Sequence, residues 1–189
     1  MNLTPRTQLL IGLALALLMA MTRGQHFATL NLPSASWAVF FLAGVLLKPR
    51  WVFAGLFVEA SLLDFAAIQW AGVSAWCMSP AYWMLLPAYA SLWLGGRLYA
   101  GWQRDRASSL ALLAATVAVS ALVCYLFSGG GFLYFSGRYP EPTLALLAER
   151  IGLYYPRYLG SLALYVGLAA LLYSAARACS FVPRRVAGQ

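Results

Sequence analysis

The sequence predicts an all-α membrane protein: one integral membrane domain over residues 1–189, built from six transmembrane helices. Composition is the first observation behind that fold class. The chain is 62% hydrophobic and 10% charged, whereas a soluble domain carries about 25% charged residues. Its mean hydropathy is +0.74. The second observation is spacing. Long uncharged runs alternate with short stretches rich in Arg, Lys, Gly and Pro, and 189 residues leave room for about six spans of about 20 residues. Nothing between the runs is long enough for a separate catalytic domain. The third is charge placement. The net charge of +8 sits in small basic clusters between apolar runs, the pattern of cytoplasmic loops. No polar basic face exists to track phosphates, which excludes nucleic acid as a partner.

The first span, 7–22, is a charge-free run of 16 residues, enough for about 24 Å of helix. A signal peptide is the alternative reading, with Arg6 as its basic part and Ala20 near a cleavage site. Gly12, Ala16 and Ala20 place small residues on one face of this helix. Such a stripe lets another helix approach closely, either within the chain or from a partner membrane subunit. The loop T-R-G-Q-H-F-A-T-L-N-L-P-S follows and holds the single histidine, His26. The second span, 35–47, is short and ends in a basic turn of Lys48, Pro49 and Arg50. The third, 51–70, carries two acids, Glu59 and Asp64.

The loop W-A-G-V-S-A-W-C-M-S-P-A-Y-W comes next, uncharged, with Cys77 among aromatic and small residues. Pro80 is placed to open the fourth span, 80–98, and Gly95, Gly96 and Arg97 are placed to end it. The fifth span is 108–127. The glycine-rich stretch S-G-G-G-F-L-Y-F-S-G-R-Y-P-E-P, 128–142, reads as the longest irregular loop, flexible rather than phosphate-binding. Thr143 is suited to cap a short helix carrying Glu149 and Arg150. Pro156 marks a break or kink, and the last span is 157–176.

With the N-terminus inside, the inner segments hold Arg6, Lys48, Arg50, Arg97, Arg104, Arg106, Arg177, Arg184 and Arg185, nine in all. The outer segments hold four: Arg23, Arg138, Arg150 and Arg157. Nine against four predicts both termini in the cytoplasm. The loops bearing His26, Cys77 and the glycine run then share the outer face.

Cys124 falls inside a span and Cys179 near the inner end, where both read as small packing residues. Cys77 would be a lone thiol on an oxidising side. It is either a buried structural residue or one soft axial ligand to a metal already held in a macrocycle. The chain has no C-x-x-C, so a protein-made zinc site and disulfide exchange are both excluded. Asp64 lies six residues from the end of its span, about 9 Å deep. An acid there must be paired, hydrogen-bonded or protonated. Glu59 is about 140° away around the helix, so the two make no paired-carboxylate site. His26 and Arg150 are outer-loop residues that, taken singly, also suit a solvated surface. No nucleotide, metalloprotease or nucleophile-elbow motif occurs.

The order His26, Asp64, Cys77, Tyr82 and Arg150, with W-C-M-S-P-A-Y-W and T-R-G-Q-H-F as its most specific pieces, resembles the solitary cobalamin transporters of the BtuM-like family. These are similar to the S-components of energy-coupling-factor (ECF) vitamin transporters. The resemblance covers nearly the whole chain. It implies an S-component-like bundle in the bacterial inner membrane with an outward-facing pocket for cobalamin, the transported substrate. It implies that Cys77 binds the cobalt, and that His26, Asp64, Tyr82 and Arg150 line or shape the pocket. It also implies that Gly12, Ala16 and Ala20 form the face used against an ECF coupling subunit with its ATPases, a partner that many members of the family lack. A thiolate on cobalt would weaken the bond to the upper ligand, so removal of that ligand is a possible side activity of a protein that is otherwise no enzyme. An S-component for another vitamin, or a structural membrane subunit, are the alternatives.

Overall fold

A computed structural model of the chain describes residues 4–23, 32–70, 72, 79–103 and 108–181. These residues are helical or irregular, with no strand among them. His26, Cys77, Arg104 and Arg106 lie outside the described residues, as do Arg184 and Arg185.

Helices form where the apolar runs lie. They are α1 (Pro5–Arg23), α2 (Ser36–Leu46), α3 (Trp51–Trp70), a 3₁₀ turn (Pro80–Met84), α4 (Leu85–Trp102), α5 (Ser108–Tyr125), α6 (Gly131–Phe135) and α7 (Leu144–Phe181). Among the described residues four helical stretches are long and apolar enough to cross a membrane: Pro5–Arg23, Trp51–Trp70, Ser109–Phe135 and Leu144–Ala176. α2 is apolar but spans only 11 residues, about 17 Å. α4 is not among the four, because Gly95, Gly96 and Arg97 dilute its apolar character. The outer surface suits lipid. α1 turns Leu9, Leu10, Leu13, Leu17 and Met21 outward, and Leu172 on α7 is 72% exposed.

Hydrogen bonds at the two ends fix the helix directions. The last residue of α1, Arg23, bonds Ser36 at the start of α2, Asp64 late in α3 and Tyr89 early in α4. At the other end Gln8 of α1 and Arg97 of α4 both bond the backbone of Lys48, between α2 and α3. Successive helices therefore run in opposite directions. α7 is tied to the α1–α2 connection by Ser161 and Tyr165, whose hydroxyls donate to the carbonyls of Ser34 and Pro33.

α2 is the core. Every residue from Ser36 to Gly44 is buried, as expected of a helix apolar on all sides. Its Phe40 stacks on Tyr89, with ring centroids 4.3 Å apart. α2 crosses α4 on glycine: a Cβ on Gly44 would collide with the Trp93 carbonyl, and one on Gly96 with the Phe41 carbonyl. This corrects the expectation that Gly95, Gly96 and Arg97 end the fourth helix. α4 runs on to Trp102, and the glycines mark the point where two backbones touch.

Two further expectations change. The glycine-rich stretch is not an irregular loop as far as Phe135. A π-helical turn, Leu126–Gly130, carries α5 into α6. Gly129 and Gly131 are required there by packing, since a Cβ would come within 2.8 Å of the Tyr125 ring and 2.6 Å of Met84. Likewise Glu149 and Arg150 do not sit on a separate short helix. α7 is continuous through Pro156 for 38 residues. Proline removes one backbone bond, but its neighbours hold the helix on both sides. Tyr155 donates to the Ala118 carbonyl at 3.0 Å and Ser161 to the Ser34 carbonyl at 2.8 Å.

Thr143 does cap α7, its Oγ1 accepting the Leu146 N–H at 3.2 Å. Thr143→Ala should therefore cost about 1 kcal/mol, read as a lowered unfolding midpoint. An unchanged midpoint would mean that α7 does not depend on this cap. Pro80 opens the 3₁₀ turn that leads into α4, as its fixed φ favours.

Candidate functional site

The polar groups gather at the end of the bundle where α1 and α3 finish and α2 and α4 begin. Arg23 meets Asp64 with a two-pronged bond, Nε to Oδ1 at 2.7 Å and Nη2 to Oδ2 at 2.6 Å. Its Nη1 donates to Ser36 Oγ at 2.9 Å and to the Tyr89 hydroxyl at 2.8 Å. Tyr82 donates to Asp64 Oδ2 at 3.0 Å. Residues from five elements thus meet in one network. The planar guanidinium fork explains why an arginine fits here. The pair is largely buried, with side chains 14% and 22% exposed. Such a pair is held by its geometry, because each charge alone would be costly at that burial.

Beside the pair lies a cavity of about 490 Å3. Asp64, Ala67 and Ile68 of α3 and Ala81 and Tyr82 of the 3₁₀ turn line one wall. Tyr125, the last residue of α5, lines the second with Ser128 and Gly129 of the π turn that follows. Arg150, Tyr154 and Tyr158 of α7 line the third. Their spacing of four along a helix puts Arg150, Tyr154 and Tyr158 on one face.

Arg150 is caged by aromatics. Its guanidinium carbon is 5.1 Å from the Tyr139 ring centroid and 5.0 Å from that of Tyr154. Nη1 donates to the Tyr139 hydroxyl at 2.7 Å, while Nε is buried without a partner. Among the described residues the cavity is thus an aromatic cup with two cations, Arg23 and Arg150, to one anion, Asp64. It suits a ligand with broad apolar faces and hydrogen-bond acceptors at its rim.

Of the residues singled out in the sequence, Asp64, Tyr82 and Arg150 line this one cavity. Asp64 is paired, as its depth requires. His26 and Cys77 lie outside the described residues. Cys124 is a free thiol buried in the core, the packing role expected of it; the Cys179 side chain is outside the described set. Among the described residues no three His, Cys, Asp or Glu side chains group to hold a metal ion. Gly12, Ala16 and Glu59 lie elsewhere, around a second cavity between α1 and α3, and Ala20 is half-buried on α1.

Arg23 is the residue the sequence reading passed over, taking it for a loop charge. The available signal was position: it ends an apolar helix at the level where Asp64 sits on α3. Tyr89 and Ser36 carried no such signal.

The fold and composition define the class: a helical protein with, among its described residues, four helices long and apolar enough to cross a membrane. Protein-family models and curated proteins were both searched, and none matches this chain.

Proposed function

We propose that this chain is a multi-pass protein of the bacterial cytoplasmic membrane that crosses it six times with both termini inside. It binds cobalamin at the outer face, with Cys77 as axial cobalt ligand, and carries it inward. One observation supports this above the others. The segment bearing Cys77 is tethered at both ends by residues of the same aromatic cavity, Ala67 and Ile68 before it and Ala81 and Tyr82 after it. Cys77 is four residues from Ala81 in the chain, a span of at most about 14 Å, which suits a thiol that reaches a ligand seated there. The alternating helix directions also favour this reading. They put the cavity at the end opposite Lys48 and Arg50, where the positive-inside pattern expects the outer face.

Tyr154, Tyr158 and Tyr125 would meet the corrin face, and Arg150 the amide carbonyls at its edge. A complete cobalamin exceeds a cavity of about 490 Å3, so part of the ligand would extend beyond the lining residues. That volume favours a second reading, in which a smaller vitamin binds, because sites for ordinary small ligands fall in the range of about 300–1,000 Å3.

The test is the absorption spectrum of purified protein with cobalamin, beside Cys77→Ala. The expected result is a shifted corrin spectrum that disappears in the variant. Affinity should fall by more than the about 10–100-fold typical of losing an outer-shell partner of a metal. Binding with an identical spectrum in both proteins would remove the thiol–cobalt bond. No binding at all would turn the test to other vitamins and to a structural membrane subunit. The same spectrum reports whether the upper ligand of cobalt is released.

A further inference from the structure

The second cavity, about 570 Å3, opens between α1 and α3 at the end of the bundle away from the Arg23–Asp64 pair. Leu9, Gly12 and Leu13 of α1 and Val52, Gly55 and Leu56 of α3 make its walls. On α1 its lining runs from Pro5 to Ala16, a rise of about 17 Å. The hydrocarbon core of a bilayer is about 30 Å thick, so the slot is about one leaflet deep. That length matches one acyl chain. The stripe of small residues lines it through Gly12 and Ala16 and stops short of Ala20.

The mouth of the slot is basic. Lys48, Pro49 and Trp51 form its rim, and Arg50 lies within that turn. Arg6 follows the lining residue Pro5. Arg6, Lys48 and Arg50 are all exposed. Trp51 is 71% exposed, an amphipathic ring of the kind that settles at a membrane–water interface. The turn is held from two sides. The Lys48 N–H donates to Gln8 Oε1 at 3.1 Å, and Arg97 Nη2 donates to the Lys48 carbonyl at 2.7 Å. Lys48 therefore stands on a braced turn at the rim of an apolar slot, with Arg50 on the same turn and Arg6 next in the chain to the lining residue Pro5. The one acid lining the slot, Glu59, lies eight residues past Trp51, about 12 Å deeper, and closes the far end.

We propose that this slot is a binding site for one anionic phospholipid. The headgroup phosphate is received by Arg6, Lys48 and Arg50, and one acyl chain lies between α1 and α3 as far as Glu59. Basic pockets between membrane helices hold anionic headgroups in this way, each cation contributing about fivefold in affinity.

The test is native mass spectrometry of the full-length protein in detergent, titrated with dioleoylphosphatidylglycerol or dioleoylphosphatidylcholine. The wild type is expected to retain the glycerol lipid at least about fivefold better. Arg6→Gln with Arg50→Gln should abolish that preference. Gly55→Leu should abolish retention of both lipids without unfolding the protein, because a Cβ at Gly55 meets open space. Equal retention of the two lipids by the wild type overturns the proposal, as does a preference that survives removal of both arginines. Finding instead a co-purifying membrane protein that Gly55→Leu displaces also overturns it.

Discussion

Asp64→Ala is expected to be among the most damaging single substitutions in the protein, lowering stability by about 3–5 kcal/mol. It strips the Arg23 guanidinium of its two-pronged partner and takes the Asp64 acceptor from the Tyr82 hydroxyl. Arg23→Ala should cost a similar amount, since among the described residues it leaves the Asp64 carboxylate with Tyr82 as its one partner. Removing both together should cost less than the sum, because neither variant charge is then stranded. Unfolding midpoints of the two single variants and the double variant, measured in one detergent, give the coupling. Additive losses would mean that the two side chains act independently despite their contact. If Asp64→Ala melts with the parent protein, the pair has no structural role. The pair also borders the candidate ligand cavity, so the double variant separates stability from binding: it can be folded and still have an altered cup.

Gly96→Ala should destabilise at the upper end of the range for overpacked cores, about 3 kcal/mol or more. The added methyl meets the Phe41 carbonyl, part of a backbone rather than a flexible side chain. Gly44→Ala should do the same through the Trp93 carbonyl. Larger side chains at either position should prevent folding, since α2 and α4 would have to separate and α2 is the core of the bundle. Gly101→Ala is the control. It lies on the same helix with open space around it, and alanine should stabilise α4 there by up to about 1 kcal/mol. Thermal unfolding of the three variants checks the pattern. Equal effects at Gly96 and Gly101 would show that helix propensity, not the crossing, governs α4.

Much of the arrangement was legible in residue order. Apolar runs marked α1, α3 and α5, and Thr143 marked the start of α7; Pro80, expected to open the fourth helix, opens a 3₁₀ turn five residues ahead of α4. The depth of Asp64 in an apolar run showed that it needed a partner, and a partner is there. Glycines misled. Gly95 and Gly96 look like a helix end, and Gly129 to Gly131 look like a loop, because glycine lowers helix propensity wherever it occurs. At these positions its use is to let a helix backbone or an aromatic ring approach, which depends on what lies opposite. No break occurs at Pro156 for a related reason: propensity opposes proline inside a helix, and the bonds from Tyr155 and Ser161 to neighbouring segments hold α7 on either side of it.

By itself the sequence determined an all-helical protein built for a bilayer, and a polar group at depth that had to be satisfied. Those follow from local chemistry: apolar runs must leave water, and a carboxylate in such a run must find a donor. Only the tertiary structure decided that the donor is Arg23, that α2 is the buried centre, and that Asp64, Tyr82 and Arg150 share one aromatic cavity. Residues 23 and 64, or 82 and 150, are far apart in the chain. Their meeting depends on the alternating directions of the helices and on the glycine crossing of α2 with α4, and neither is a property of any one segment.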